Sequence, residues 1–268
     1  MKIKELEKLM LQKFPLESAE DWDTTGLTSI PTQGPRTSPA RAKDVEITKL
    51  AIALDPNIAA VREAKRRGCN LLLTHHPAYI GEKRELPKTH LIYSAKKIGV
   101  ALMNFHTCLD VSSEGAATLP NLIGLTAKRT LLPTYGSLGF GKICSTASGK
   151  PTTLGVLARK CERVFGRKPR AWGKASASVK KIVTTTGSVG RLDDEVSVLQ
   201  ASIDKKCDCI ICGEIKYHDA VEMIERGICV IELGHDVSEL PLCDVLRDAA
   251  VDCGIAKKDI VMINQNNY

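Results

Sequence analysis

The sequence has 268 residues, of which 43% are hydrophobic and 4% aromatic, and its formal net charge is +7. This length and apolar content suffice for one large or two ordinary domains with buried cores. The low aromatic content gives no obvious base-stacking surface of the kind that single-strand binders use. The basic residues are scattered, so they are best explained as solvated surface, although a mildly basic protein is compatible with an anionic substrate. No segment approaches the roughly 18 apolar residues of a membrane span, and the charged first helix is unlike a signal peptide. We therefore expect a soluble cytoplasmic protein without membrane contact.

Ten cysteines are present, and three of them, Cys207, Cys209 and Cys212, lie within six residues. Such spacing is compatible with thiolate ligands. However, these residues belong to an apolar run in which Cys acts as a small hydrophobe on a buried strand, and this interpretation is favoured. The cysteines also lack the regular framework of a small secreted domain.

The first part of the chain predicts a helix followed by a βαβ unit. Residues 2–14 have apolar side chains at helical spacing. A strand is predicted over 49–54, a helix over 57–67 with Asp55 as its cap, and a second strand over 71–73. Strand, helix and strand with short connections indicate a parallel sheet.

Two segments lie between the first helix and this unit. Residues 20–23 form an acidic turn that contains Trp22, which either covers a site or packs at an interface. Residues 28–39 are rich in Pro, Thr and Ser and are predicted to be an exposed loop.

The strand over 71–73 runs directly into His75 and His76, and Pro77 stops it. On a regular strand two adjacent side chains point to opposite faces, so they cannot share a ligand. A turn at Pro77 brings both imidazoles to one crevice, at the carboxyl end of the strand, where open α/β sheets bind ligands. The alternative is a pair of ordinary polar loop histidines.

The pattern continues through the middle of the chain. A helix over 90–98 and a strand over 100–105 lead to His106, and residues 113–135 read as a helix or a loop. A second unit is predicted to begin near Gly139. Residues 187–190 resemble a fragment of a phosphate-binding loop, but the full pattern is absent and a plain strand–helix turn is favoured.

The second half repeats the first in outline. A strand over 209–212 runs into Gly213 and Glu214, and a strand over 228–233 runs into Gly234 and His235. A helix over 193–205, a helix over 218–226, a closing helix over 241–250 and a final strand over 260–263 complete the prediction. We therefore expect an α/β fold with lobes at 1–135 and 136–268.

Two predicted strands end in the same spacing, because Asp110 follows His106 by four residues and Glu239 follows His235 by four. Residues at that spacing share one face of a helical turn. Imidazole and carboxylate are the ligand set that suits zinc, iron and manganese. With His75 and His76 the candidates exceed the four ligands of a structural zinc and fit two ions. His218 reads either as a general acid or base or as a helix-start residue.

These motifs together resemble the NIF-three-like dinuclear metal-centre family, whose members are labelled GTP cyclohydrolase I type 2 homologues. The resemblance rests on the acidic Trp22 turn with Gly26 and Leu27, and on four motifs in the same order along nearly the whole chain: residues 71–77, 106–110, 213–219 and 234–239. One departure is Thr24-Thr25, where the family commonly has Asn and an apolar residue.

The resemblance implies a mostly parallel fold of two interlocked α/β lobes that share a metal site in the cleft between them. It also implies a toroidal homohexamer, a trimer of dimers with the sites facing an internal cavity. It leaves His106 as a near neighbour of the site that supports the ligands. The implied ligands of two divalent ions are His75, His76, Asp110, His235 and Glu239.

Two functions follow from these patterns. The first is a metal-dependent hydrolase of the GTP cyclohydrolase type that acts on a nucleotide-like anion, with His106 or His218 as a proton shuttle. The second is a metal-binding scaffold or a regulatory interaction partner without catalysis. No helix-turn-helix, zinc-finger or RNP-like pattern supports a nucleic-acid partner.

Overall fold

The computed structural model describes residues 1–31, 45–80, 87, 89–194 and 197–265. The chain divides into two compact units: unit 1 comprises residues 1–109 and 242–268, and unit 2 comprises residues 110–241. This division differs from the predicted lobes at 1–135 and 136–268. The segment up to residue 135 pairs with the strand that follows it, and the C-terminal segment returns to the first sheet, so a single cut in the sequence does not separate the units.

Unit 1 is built on a five-stranded sheet of order β1-β4-β3-β2-β13, which is parallel except for β1. Numbered along the chain, its strands are β1 (Gly26–Ser29), β2 (Leu50–Ala53), β3 (Leu71–Thr74), β4 (Ala101–Asn104) and β13 (Ile260–Met262). Its helices are α1 (Ile3–Lys13), α2 (Ile58–Arg66), α3 (Leu91–Ile98) and α10 (Leu242–Asp252), with single 3₁₀ turns at Leu16–Ser18 and Lys257–Asp259. The short helix α4 (Thr107–Asp110) follows β4.

The central strands of unit 1 are apolar throughout because both faces of the sheet are covered. Leu71 and Leu73 pack into the cluster formed with α1 and α10, whereas Leu72 between them packs into the cluster formed with α2 and α3. The predicted parallel arrangement of β2 and β3 is confirmed. The predicted cap of α2 is wrong, however: Asn57 accepts the backbone N–H of Ala60, and Asp55 has a different contact, described below.

Unit 2 is built on a six-stranded sheet of order β5-β6-β10-β11-β12-β8, in which only β10, β11 and β12 are mutually parallel. Its strands are β5 (Leu125–Tyr135), β6 (Leu138–Thr146), β8 (Arg170–Trp172), β10 (Ile182–Thr184), β11 (Cys209–Cys212) and β12 (Cys229–Glu232), with a separate ribbon of β7 (Thr152–Thr153) and β9 (Ser178–Val179). Its helices are α5 (Ser113–Leu122), α6 (Leu154–Phe165), α7 (Val198–Asp204), α8 (Tyr217–Glu225) and α9 (His235–Glu239).

Several predicted boundaries change in the structure. Residues 113–135 are helix α5 followed by strand β5, because β5 pairs with β6 along its length and this long-range pairing has little local signal. The helix predicted over 193–205 begins only at Val198, where Ser197 caps it. Within the predicted loop over 28–39, Thr28 and Ser29 belong to β1, and residues 32–39 lie outside the described part of the chain.

Among the described residues, no helix combines the length and the apolar composition that crossing a bilayer requires.

Candidate metal site

Three histidines of unit 1 come together at the carboxyl ends of neighbouring parallel strands. His75 and His76 follow β3, and His106 follows the adjacent strand β4. One ring nitrogen from each of the three lies within 4.8 Å of the others. The turn after β3 therefore brings both adjacent imidazoles into the same cluster.

Each of these imidazoles is held through its Nδ1 atom. His75 Nδ1 lies 3.1 Å from the carbonyl oxygen of Phe105, His76 Nδ1 lies 2.7 Å from Asp55 Oδ1, and His106 Nδ1 lies 3.1 Å from Asp23 Oδ1. An oxygen acceptor assigns the proton to Nδ1 and leaves Nε2 as the nitrogen with a lone pair. Metal-binding histidines show this arrangement, in which an acceptor fixes the tautomer and the ring orientation.

Asp23 is the most strongly perturbed carboxylate described in unit 1. Its fully enclosed side chain accepts the Thr107 hydroxyl at 2.6 Å and the Thr107 backbone N–H at 3.0 Å, besides the contact with His106. Burial alone would raise the pKa of Asp23, but the hydrogen bonds and charge of His106 and the bonds from Thr107 lower it to about 2. Trp22, half exposed, lies edge-on against the His106 ring with centroids 5.7 Å apart.

Unit 2 pairs one histidine with two carboxylates. His235 and Glu239 lie at the two ends of α9, which brings His235 Nε2 within 3.1 Å of Glu239 Oε2. His235 Nδ1 lies 2.9 Å from Glu214 Oε2, and Glu214 follows β11 just as His235 follows β12. The predicted sharing of one face at i and i+4 is therefore present for this pair, and Glu239 is buried.

The backbone of Gly187 approaches this carboxylate so closely that no side chain fits. A Cβ atom at Gly187, where φ is +58°, would overlap Glu239 Oε1 and approach His235 Nε2. The Gly187 backbone N–H also donates to Ser238 Oγ at 2.9 Å. Residues 187–190 do not lead directly into a helix as predicted, because α7 begins only at Val198 and Ser188 forms a parallel bridge with Glu214. The requirement for glycine at 187 is steric, since its backbone lies against the Glu239 carboxylate.

The remaining predicted site residues have their own surroundings. Asp110 Oδ1 accepts the Thr186 hydroxyl at 3.2 Å within unit 2. His218 has a side chain that is 67% exposed, and its Nε2 lies 3.6 Å from Asp219 Oδ2. Among the described residues, no cluster of metal-ligand atoms includes His218.

The cysteines are buried and do not form part of this chemistry. Cys209 and Cys212 alternate between the two faces of β11, where they pack into different apolar clusters. Burial raises the pKa of Cys207, and it raises that of Cys209 and Cys212 further. Because a metal ligand must be the thiolate, the interpretation as packing residues is supported.

Sequence reasoning missed the three carboxylates that hold the histidines: Asp23, Asp55 and Glu214. Asp55 and Glu214 each lie two residues beyond the ends of β2 and β11. The strand-end rule that singled out His75 and His235 would have found these two as well. Asp23 has no such signal, because its contact with His106 spans 83 residues.

The donor sets of both units fit a divalent metal. Unit 1 supplies imidazoles whose Nδ1 atoms are engaged, and unit 2 supplies an imidazole beside a buried carboxylate in a backbone cradle. Imidazole nitrogen and carboxylate oxygen bind zinc, iron and manganese. The two sheets therefore present the ligand chemistry of a metalloprotein.

Comparison with known proteins gives the family of this chain. Residues 1–265 match the sequence model of the Duf34/NIF3 family (NGG1p interacting factor 3), so the chain belongs to that family. The predicted resemblance is confirmed. Relatives from Streptomyces coelicolor and Campylobacter jejuni, each named "GTP cyclohydrolase 1 type 2 homolog", are 26% identical; the alignments cover 87% and 89% of this chain and 79% and 88% of theirs.

Solved structures share the fold over the full length. The hypothetical protein SA1388 of Staphylococcus aureus has a TM-score of 0.81 at 22% identity, over 100% of this chain and 98% of that one. A Bacillus cereus protein related to NIF3 gives 0.81 at 17% identity, over 100% and 98% of the chains. Reduced HcgD from Methanocaldococcus jannaschii gives 0.74 at 21% identity, over 98% of each chain. The predicted α/β class with mostly parallel sheets is confirmed.

Proposed function

We propose that this protein binds two divalent metal ions and acts as a metal-dependent hydrolase on a nucleotide-like substrate. The reaction would be of the GTP cyclohydrolase type named for its curated relatives. The proposed ions are zinc, iron or manganese. From the family resemblance we also infer a cytoplasmic, toroidal homohexamer built as a trimer of dimers. The proposed ligands, which the resemblance supplies, are His75, His76, Asp110, His235 and Glu239.

One observation carries the proposal. The four histidines at the strand ends, His75, His76, His106 and His235, each have Nδ1 within 3.1 Å of an oxygen acceptor. Histidines that serve only as polar loop residues need no common tautomer. With an acceptor at Nδ1, Nε2 is the nitrogen turned toward a metal ion or a transferred proton, and at His235 it faces the carboxylate of Glu239, the proposed co-ligand, at 3.1 Å.

His106 is proposed to carry the proton. Bound divalent ions would supply a Lewis acid that activates a water molecule. His106 would take up a proton at Nε2, because Asp23 accepts from the opposite ring nitrogen and would stabilise the imidazolium. His218 is the second candidate, on the sequence prediction alone.

The experiment is metal content per chain by plasma mass spectrometry, followed by turnover of GTP and other nucleotides. We expect about two ions in the wild type and a loss of at least one in His75→Ala and in Glu239→Ala. His90→Ala is the matched control, because His90 only caps α3, where its side chain accepts the backbone N–H of Ile92. This control should retain the full metal content.

The outcomes separate the two functions. Two ions with turnover that falls in His106→Ala and is retained in His90→Ala support the hydrolase. Two ions without turnover of any nucleotide support the metal-binding scaffold instead. A wild type that takes up neither zinc, iron nor manganese contradicts both.

A further inference from the structure

An aromatic pair of one partly buried and one exposed ring lies at the edge of the unit 2 sheet. Trp172 is the last residue of edge strand β8, and Tyr217 is the first residue of α8. Their rings meet edge to face, with centroids 5.7 Å apart and planes at 65°. Tyr217 nevertheless remains 67% exposed, so most of its ring surface faces outward.

The indole of Trp172 is contacted at its Nε1 edge and on one ring face. Its Nε1–H donates to Glu232 Oε2 at 3.4 Å, and the guanidinium carbon of Arg170 lies 3.9 Å above its ring centroid. A cation at that distance over an indole is a favourable cation–π contact. Arg170 is therefore held over the indole ring and remains exposed.

Strand register and chain connectivity place these three residues near the proposed metal ligands of unit 2. In the antiparallel register of β8 and β12, Arg170 lies opposite Glu232, which precedes His235 by three residues. Tyr217 follows Glu214 by three residues, and the Glu214 carboxylate bonds to His235. Three residues span at most about 11 Å between Cα atoms. Tyr217 is therefore a short distance along the chain from Glu214, which contacts His235, and Arg170 lies opposite Glu232, a short distance along the chain before His235 itself.

We propose that Tyr217, Trp172 and Arg170 form the substrate-binding platform, and that its ligand is a nucleoside phosphate. This inference rests on the proposed function, which it deepens by naming the residues that would bind the base and the phosphate. The base stacks on the exposed face of Tyr217, and Arg170 pairs with the phosphate, for which its planar fork of donors is suited. An aromatic surface beside a fixed cation matches a planar, anionic molecule better than it matches a purely apolar one.

The test is tryptophan fluorescence titration with guanosine 5′-monophosphate. The chain has two tryptophans, so Trp22→Phe leaves Trp172 as the only reporter. In that background we expect a saturable change, and Tyr217→Ala should weaken binding by about tenfold or more. Arg170→Ala should weaken binding of the monophosphate much more than binding of guanosine. Ribose 5-phosphate, which has no base, should bind weakly and should not respond to Tyr217→Ala.

Tyr135→Ala is the matched control, because Tyr135 is an exposed tyrosine of the same unit at the end of β5. It should leave the affinity unchanged. Equal affinities in wild type, Tyr217→Ala and Arg170→Ala would overturn the proposal, and so would the absence of saturable binding.

Metal content measured on the same samples separates this failure from that of the proposed function. Full metal content with saturable nucleotide binding that is unchanged in Tyr217→Ala and Arg170→Ala contradicts the platform alone, whereas full metal content without any nucleotide binding contradicts the nucleotide hydrolase as well. Saturable, Tyr217-dependent binding by a protein that takes up no metal contradicts the metal function and leaves the platform supported.

Discussion

The two units place histidines at strand ends in the same way but assemble two different ligand sets. In each, neighbouring parallel strands end side by side, and a histidine after one strand is held through Nδ1 by an acceptor that follows the next strand. Unit 1 gathers three imidazoles, whereas unit 2 sets one imidazole against a buried carboxylate enclosed by the Gly187 backbone. Unit 1 is thus rich in imidazole nitrogen, whereas unit 2 combines one imidazole with carboxylate oxygens.

The close packing of the Gly187 backbone against Glu239 in unit 2 should be the feature most sensitive to substitution. Gly187→Ala forces a Cβ against Glu239 Oε1 at a positive φ, so we expect a loss of about 3 kcal/mol in unfolding free energy. Metal content should fall with it. Gly166→Ala is the control, because its φ of +66° is similar and nothing lies within 4 Å of its Cβ position. We expect about 1 kcal/mol there. Equal losses in chemical denaturation would show that Glu239 is not crowded.

The carboxylates that hold the histidines should differ between the units. Asp55→Ala and Glu214→Ala each remove an Nδ1 acceptor, and such changes typically weaken metal affinity by about 10- to 100-fold. Because Glu214 is 55% exposed and Asp55 is 34% exposed, solvent replaces Glu214 more readily. We therefore expect the larger loss in Asp55→Ala when affinities are measured by competition with a chelator. The reverse order would contradict the comparison.

Asp23 should make unit 1 sensitive to acid. Its folded pKa of about 2 lies below the unfolded value near 3.8, so its stabilisation is full above the unfolded pKa and is lost as the pH falls toward 2. The shift corresponds to about 2 kcal/mol at neutral pH. Asp23→Asn should therefore lower the unfolding free energy at pH 7, and the difference from wild type should shrink near pH 2. Asp193→Asn removes an exposed pair in which Arg191 also lowers the pKa of Asp193, but solvent screens this pair, so its pH dependence should be much smaller.

The smallest effect is expected at His218. Its side chain is mostly exposed and lies outside the clusters of ligand atoms among the described residues, so His218→Ala should change stability by less than about 0.5 kcal/mol. Its metal content should equal that of the wild type. A loss of metal in this variant would place His218 among the ligands.

Local sequence patterns predicted the parts of the fold that depend on local physics. Apolar runs such as 71–73 and 209–212 gave the parallel strands, and the residues directly after them gave His75, His76 and His235. Pairings between distant segments escaped prediction. The β5–β6 hairpin lacks a clear alternation because most of β5 is exposed. Helix α10 joins unit 1 through apolar contacts with residues such as Leu6 and Met10 and through the ion pair of Asp252 with Lys13. The role of Asp23 was missed for the same reason, because its contact with His106 spans 83 residues.

The most direct test of the central claim is anomalous diffraction from crystals of the metal-loaded protein. The account predicts peaks whose imidazole ligands are the Nε2 atoms of His75, His76 and His235, with the Nδ1 atoms still bonded to Phe105, Asp55 and Glu214. Ligation through Nδ1, or metal bound to cysteine sulfur, would contradict it.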